Sequence, residues 1–319
     1  MRDLRIVFMG TPDFAVASLK AIVEAKYNVV GVITAPDRPA GRGQKLRESA
    51  VKEYAAGHNL KVLQPTNLKN EAFLKELEDL RANLQVVVAF RMLPQVVWQL
   101  PEYGTFNLHA SILPDYRGAA PINWAIINGE NRTGATTFFI DEKIDTGEII
   151  LQKEIDIKPD ENAGSLHDRL MVMGAQLITE TIALIASDNV KTKPQPKQDQ
   201  INTAYKLDRD NTKINWDAPI EKIYNLIRGL SPYPIAWSNF ENNGKMDIVK
   251  IYAARMDEKN RVDLVEKSIG EIKVIDDKIQ VNLKDGVLII DELQLPGKRK
   301  MKSKDLLNGY NFSEDSKML

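Results

Sequence analysis

The chain has 319 residues, of which 43% are hydrophobic and 27% charged, and its formal net charge at pH 7 is −1. This length predicts two domains, and the near-neutral charge gives no overall indication of a polyanionic partner. The absence of cysteine excludes disulfides, thiolate zinc sites and a catalytic thiol. The three histidines are widely spaced, so we expect no metal site. We find no signal peptide or membrane-spanning segment, so we expect a cytoplasmic protein.

The first half of the chain alternates strand and helix patterns. Mostly apolar runs over 4–9, 28–34 and 84–89 predict strands that are buried on both faces. Amphipathic segments between these runs predict helices, so the alternation indicates a mostly parallel, Rossmann-like sheet with helices on both faces. Ligands of such sheets bind beyond the carboxyl ends of the strands.

A short strand is predicted over Thr105–His109, and it leads into a loop that is interrupted by proline and glycine. Asn107 and His109 are two residues apart, so their side chains project from the same face of this strand. Taken alone, the pair is equally compatible with catalysis and with a strand end whose polar groups bind loop backbone. Its position at the carboxyl end of a parallel strand favours catalysis.

The loop over 35–46 contains the cations Arg38, Arg42 and Lys45 among prolines and glycines. An arginine that projects from such a loop suits recognition of phosphate or carboxylate. Composition alone favours a solvated surface loop instead. The glycine fingerprint of dinucleotide-binding proteins and the phosphate-binding lysine motif are both absent from the sequence, which disfavours a nicotinamide dehydrogenase.

Asp145 lies in the segment I-D-T-G-E, which is typical of a turn residue that bonds its own backbone. That interpretation weakens if the carboxylate reaches His109, because a carboxylate commonly orients a catalytic imidazole. The only dense basic cluster is the triplet Lys298, Arg299 and Lys300, which either contacts phosphates or forms a solvated turn.

The last third of the chain differs in character. A polar, proline-bearing segment over 191–200 predicts a linker, and a helix is predicted over Ile220–Leu230. Short strand patterns separated by turn signals then predict a small antiparallel barrel of the oligonucleotide-binding type. We therefore expect an α/β domain over 1–190, a linker over 191–207 and a smaller β-barrel domain over 208–319.

Several motifs together resemble the folate-dependent formyltransferases over essentially the full length of the chain. They read R-I-V-F-M-G-T-P-D-F-A, P-D-R-P-A-G-R-G, F-N-L-H-A-S-I-L-P-D-Y-R-G-A-A-P-I, I-D-T-G-E, S-P-Y-P-I-A-W and P-G-K-R-K-M. The loop and the C-terminal motifs narrow the resemblance to the branch that formylates methionyl-tRNA. The resemblance implies transfer of a formyl group from 10-formyltetrahydrofolate to the α-amino group of methionine on initiator tRNA.

The resemblance also implies roles for particular residues. The catalytic trio falls on Asn107, His109 and Asp145, and no metal is needed. The folate contact falls on Ser111, Ile112, Leu113 and Pro114, and the backbone near 88–93 lines the pterin pocket. The tRNA contacts fall on Arg38, Arg42 and Lys45 in the loop, with Lys298, Arg299 and Lys300 as further phosphate contacts. We expect a monomer that binds no membrane.

Three positions depart from the pattern of the family. Asp115 stands where a basic residue is usual, Arg91 stands at a glycine in a segment that is one residue shorter, and Ala50 replaces a proline. Two other functions stay open: formylation of a nucleotide-linked amino sugar, and tRNA binding without catalysis. The cationic loop disfavours the first alternative, and the intact trio disfavours the second.

Overall fold

The structure is a computed structural model that describes residues 1–40, 45–197, 200–257 and 268–319. The chain forms two compact units. The first comprises Met1–Pro121, Thr133–Ile155 and His167–Thr203, and the second comprises Ile122–Arg132, Asp156–Leu166 and Ala204–Leu319. The second unit therefore includes two segments that precede residue 190.

Up to residue 204 the elements are β1 (Arg5–Gly10), α1 (Asp13–Glu24), β2 (Asn28–Ile33), β3 (Arg38–Ala40), β4 (Lys45–Arg47), α2 (Ala50–Gly57), β5 (Val62–Leu63), α3 (Glu71–Asp79), β6 (Leu84–Val88), α4 (Gln95–Trp98), β7 (Thr105–His109), β8 (Arg117–Gly118), α5 (Pro121–Ile127), β9 (Arg132–Phe139), β10 (Ile149–Asp156), α6 (Ala163–Ala186) and β11 (Thr203–Ala204). The remaining elements are α7 (Ile220–Leu230), β12 (Ala236–Asn242), β13 (Lys245–Met256), β14 (Ile272–Ile275), β15 (Lys278–Leu283), β16 (Gly286–Gln294), β17 (Met301–Lys302), α8 (Ser303–Leu307) and β18 (Lys317–Met318).

The first unit is built on a seven-stranded sheet with the order β10-β9-β7-β6-β1-β2-β5. Strands β5, β2, β1, β6 and β7 pair in parallel, and β9 pairs with β7 in the antiparallel direction. Every residue of β6 is buried, including the polar Gln85, as the mostly apolar run predicted. This confirms the predicted mostly parallel α/β sheet, and it places the end of β7 between β6 and β9.

Two short strands, β3 and β4, lie on either side of residues 41–44 in the segment that was predicted as an irregular loop, and they pair in the antiparallel direction. Arg38 pairs with Arg47, and the third and last pair joins Ala40 to Lys45. The prediction was wrong because three paired residues on each side suffice for these strands, whereas the surrounding prolines and glycines dominate the sequence pattern. Arg42 lies outside the described residues.

The long helix α6 corrects the expectation that no segment could span a membrane. By length and composition it is the one helix in the described part of the chain that could cross one, and half of its most apolar window is buried inside the protein. Gly174 of α6 packs against Leu108 of β7, and the hydroxyls of Thr181 and Thr137 are 2.8 Å apart. The apolar face of this helix therefore covers the sheet beside β7.

The second unit contains the predicted antiparallel barrel. Its strands follow the order β14-β15-β16-β13-β12-β18, and β17 adds to β16. A further antiparallel bridge between Glu271 and Lys317 joins the two ends of this order. The inward side chains of the barrel and of α7 form one apolar core, which includes Ile223, Phe240 and Leu288.

Candidate active site

Asn107 lies at the carboxyl end of the parallel part of the sheet, on β7. It pairs with Val87 of β6 on one side and with Phe138 of β9 on the other. Asn107 is half-buried, unlike the other residues of β7, which are buried. Among the described residues its carboxamide has no hydrogen-bond partner. Its donors and acceptor are therefore available to a bound substrate.

The imidazole of His109 is buried and has a defined orientation. Its Nε2 atom is 2.8 Å from the carbonyl oxygen of Tyr116. A carbonyl oxygen only accepts hydrogen bonds, so Nε2 carries the hydrogen in this geometry. The other nitrogen, Nδ1, faces the carboxylate of Asp145, with 3.8 Å between Nδ1 and Oδ2. Nδ1 is therefore the nitrogen that is free to accept or give a proton.

Asp145 approaches His109 from the loop that connects β9 and β10. The His109 side chain is only 7% exposed and the Asp145 side chain 14%, so both groups are largely shielded from solvent. The backbone N–H of Gly118 donates a 3.0 Å hydrogen bond to Oδ2 of Asp145. The loop thus does reach the imidazole, which is the condition under which the sequence favoured a catalytic role for this carboxylate.

The four residues expected to contact folate form a tightly bonded turn. The side chains of Ser111, Leu113 and Pro114 are buried, whereas Ile112 is half-buried. The hydroxyl of Ser111 donates to the carbonyl of Asp115 at 2.6 Å, within the same turn. The folate contact stays a prediction, and in this geometry it would fall on Ile112 and on backbone groups.

Arg91 joins the loop after β6 to the loop after β5. Its guanidinium donates to the carbonyl of Thr66 at 2.9 Å and also to the carbonyl of Pro65. Partial burial and the nearby Arg38 guanidinium lower the pKa of Arg91. Arg91 also lines an open groove of about 850 Å³ together with Leu93 and other residues of the two loops. The arginine that replaces the usual glycine therefore shapes the wall of this groove.

Asp115, the other unusual residue near the site, has a structural partner. Its carboxylate accepts a 3.0 Å hydrogen bond from the backbone N–H of Asn202. The next residue, Tyr116, donates its own N–H to the carbonyl of Asn202 at 2.6 Å. Asp115 therefore anchors the segment around residue 202 beside the Tyr116 carbonyl that orients His109.

The cations expected to contact tRNA differ in their surroundings. Arg38 is exposed on β3, and the backbone of Lys45, on β4, pairs with β3. In the C-terminal triplet, Lys300 is 2.7 Å from a carboxylate oxygen of Glu292, whereas Arg299 is exposed and has no partner among the described residues. Lys298 also lacks a carboxylate partner in the described part of the chain, and its ammonium lies 5.9 Å from the centre of the Tyr310 ring. Lys300 is thus the member of the triplet whose charge is compensated by a carboxylate.

The sequence did not point to two residues that contact the Asp145 loop, Arg117 and Gln195. Gln195 lies 50 residues from Asp145 along the chain, in the segment predicted as a linker. Arg117 was part of a quoted motif but had no predicted role. The proximity of Pro194 and Pro196 makes this segment look like a linker, and no local pattern indicates its contact with the loop.

The profile of the formyl transferase family matches residues 4–182, and that of the formyl transferase C-terminal domain matches residues 206–311. A sugar 3N-formyl transferase, WlaRD, solved with dTDP and 5-N-formyl-THF, has a similar fold with a TM-score of 0.65 and 21% identity over 94% of this chain and all of its own. HypX from Aquifex aeolicus in complex with tetrahydrofolic acid has a TM-score of 0.63 and 18% identity over 96% of this chain and 47% of its own. Fold and site thus define a two-domain formyl transferase.

Closer relatives specify the branch of this class. The methionyl-tRNA formyltransferase of Flavobacterium johnsoniae is 56% identical over 318 residues, which cover all of both chains. That of Bacteroides fragilis is 49% identical over 99% of this chain and 98% of its own. The chain belongs to the methionyl-tRNA formyltransferase family.

Proposed function

We propose that this protein transfers the formyl group of 10-formyltetrahydrofolate to the α-amino group of methionine on initiator tRNA, in the cytoplasm, for translation initiation. The observation that carries the proposal is the pair formed by His109 of β7 and Asp145 of the β9–β10 loop, with 3.8 Å between Nδ1 and Oδ2. The same face of β7 presents Asn107, whose carboxamide has no partner among the described residues. The full-length relationship to methionyl-tRNA formyltransferases supports the choice of acceptor.

The reaction requires one new bond and the loss of another. The neutral amine, whose pKa is ordinarily ~7.7–8.0, attacks the formyl carbon and forms a tetrahedral oxyanion. The bond between this carbon and the folate nitrogen N10 then breaks, and a proton from the amine ends on N10. The attack places negative charge on the former formyl oxygen, and the departure of N10 removes it again as the carbonyl re-forms. The transition states of both steps therefore carry part of this charge, so donors aimed at that oxygen lower both barriers.

The residues of the site divide these tasks. The carboxamide of Asn107 donates to the oxyanion, an interaction whose removal typically costs ~3 kcal/mol of transition-state stabilisation. His109 moves the proton through Nδ1, since Nε2 is bonded to Tyr116. Asp145 orients the imidazole and stabilises its charged form while it carries the proton. No step in this scheme requires a metal ion.

Single-turnover formylation with labelled 10-formyltetrahydrofolate and charged initiator tRNA tests the proposal. Asn107→Ala, His109→Ala and Asp145→Ala should each lower the rate by roughly 10²–10³-fold, as expected for loss of an oxyanion donor or a proton carrier. His58→Ala is the matched control, because His58 is exposed at the end of α2 and its ring contacts Tyr54 of the same helix. Rates near the parent value for all three variants would contradict the catalytic assignment.

The same assay separates the alternatives. Transfer of label to a nucleotide-linked amino sugar instead of tRNA would identify the sugar acceptor, a chemistry that the name of WlaRD describes for that protein. Binding of tRNA with no transfer to any acceptor would identify a non-catalytic module. We expect formyl-methionyl-tRNA as the only labelled product.

A further inference from the structure

Two side chains outside the catalytic trio bond to the backbone of the Asp145 loop. Gln195 donates both hydrogens of its amide, one to the carbonyl of Asp145 at 2.8 Å and one to the carbonyl of Gly147 at 2.9 Å. Arg117 donates from Nε to the same Asp145 carbonyl at 3.0 Å. Arg117 also donates to Oε1 of Gln195, at 3.2 Å from Nε and 2.5 Å from Nη2. Every polar atom of the Gln195 amide is thus used.

The backbone of Asp145 needs such support. Its φ angle is +55°, in the left-handed region that residues with a Cβ atom rarely adopt. A residue stays in this region only when the surrounding structure holds it there. Two neighbouring residues hold the backbone and the side chain of Asp145. The side chain of Arg117 donates to its carbonyl oxygen, and the N–H of Gly118 donates to its carboxylate. The direction of the carboxylate therefore depends on the same contacts as the loop backbone.

The segment that carries Gln195 is itself attached to the first unit. Lys193 and Ile149, the first residue of β10, form an antiparallel bridge with N–H to carbonyl distances of 2.9 and 2.8 Å. Gln195 is half-buried two residues further on. Its position is consequently defined by backbone pairing and does not depend on the contact with the Asp145 loop alone.

We propose that Gln195 and Arg117 are positioning residues that set the direction of the Asp145 carboxylate towards His109. The inference rests on the proposed function, in which Asp145 orients the imidazole during proton transfer. Neither side chain needs to touch a substrate for this role. Loss of the hydrogen bonds from Gln195 and Arg117 to the Asp145 carbonyl would let the Asp145 backbone relax out of its left-handed conformation. The carboxylate would then turn away from Nδ1 of His109.

Gln195→Glu is the sharpest variant, because it keeps the shape of the side chain and an acceptor for Arg117. It replaces the donor of the two carbonyl bonds by an oxygen, which repels the carbonyl oxygens of Asp145 and Gly147. We expect kcat to fall by about 10²-fold, the order of loss known for a small misplacement of a catalytic group, with the KM for the folate co-substrate nearly unchanged. Gln200→Glu makes the same change at an exposed residue of the same segment and should behave as the parent.

A double-mutant cycle with Asp145→Asn distinguishes positioning from general destabilisation. If Gln195 acts through Asp145, the double variant should be as slow as Asp145→Asn alone. A further multiplicative loss in the double variant would overturn the inference. Arg117→Lys provides a second test, since its single ammonium cannot reproduce the planar fork, and it too should show no additional loss in the Asp145→Asn background.

The outcomes for the two proposals are distinguishable. If Asp145→Asn retains the parent rate, the proposed role of Asp145 fails and the positioning inference fails with it. If Asp145→Asn is slow while Gln195→Glu and Arg117→Lys keep the parent kcat, only the positioning inference fails. Thermal melting of each variant completes the test: unchanged melting with reduced kcat supports positioning, and a loss of kcat that follows the loss of folded protein contradicts it.

Discussion

A single hydrogen bond decides which nitrogen of the His109 imidazole carries the hydrogen. The spacing of Asn107 and His109 on a strand follows from the sequence, but it does not distinguish the two ring nitrogens. The carbonyl of Tyr116 makes that distinction, because it accepts a hydrogen only from Nε2. Tyr116 itself has a left-handed φ of +60°, which turns its carbonyl into this position after the strand has ended.

This geometry predicts the tautomer of the neutral imidazole. Nitrogen chemical shifts of ¹⁵N-histidine-labelled protein should show His109 with its hydrogen on Nε2, and the assignment should persist in Asp145→Ala, because Tyr116 and not Asp145 selects the tautomer. The exposed His58 provides the comparison within the same spectrum. A neutral His109 with its hydrogen on Nδ1 would contradict both the tautomer and the proton path.

At the level of the elements, a polar cluster around Asp37 connects the start of β3 with α2. Asp37, just before β3, accepts from Lys52 of α2 at 2.5 Å and from Gln64 at 2.8 Å. The hydrogen bond from Lys52 is the main cause that lowers the pKa of Asp37 below its ordinary value of 3.8.

Helix α2 is itself capped by Ser49, which accepts the N–H of Lys52 at 3.1 Å. Ala50 therefore occupies the first helical position, where the usual proline would also fit.

The lowered pKa of Asp37 gives a pH dependence with a definite sign. The charged form is favoured in the folded state, so its contribution to stability is present above the ordinary pKa of 3.8 and is lost as the pH falls below it. The melting temperature of Asp37→Asn should be lower than that of the parent at about pH 7 and should approach the parent value in acid. Asp3→Asn is the control at an exposed carboxylate. If the difference in melting temperature between the parent and Asp37→Asn grew in acid, the stabilising role of the charged Asp37 would be contradicted.

For the whole molecule, the charge balance hides the distribution of charge. A net charge of −1 gives no indication of a polyanionic substrate. On the barrel, however, Arg299 has no counter-ion among the described residues, while the ammonium of neighbouring Lys300 is 2.7 Å from Glu292 and 5.1 Å from the centre of the Tyr252 ring. The cations of the triplet are therefore unequal as phosphate contacts.

This inequality predicts different salt dependence for two variants. Arg299→Ala should weaken tRNA binding and reduce the slope of log Kd against log salt by about 1, as expected for one lost phosphate contact. Lys300→Ala should change the slope less, because Glu292 already compensates its charge. Lys20→Ala, which removes an exposed lysine of α1 next to Glu24, is the control. Equal slopes for Arg299→Ala and Lys20→Ala would contradict a phosphate contact by Arg299.

The sequence determined the elements whose patterns are local. The apolar run of β6 reflects burial of the whole strand, and the period-two spacing puts Asn107 and His109 on one face of β7. The motifs and their order also determined the family. Each of these features depends on residues that are close together in the chain, where side-chain period and solvent partition act directly.

Only the tertiary structure decided which distant residues meet. It brought the Asp145 carboxylate to Nδ1 of His109, paired the short strands β3 and β4, and placed Gln195 from the expected linker on a loop 50 residues away. No periodicity indicates such contacts, because they depend on the path of the backbone and on hydrogen-bond groups that are left unpaired once the sheet has formed. The site therefore combines a strand that the sequence specifies locally with loop contacts that only the folded chain defines.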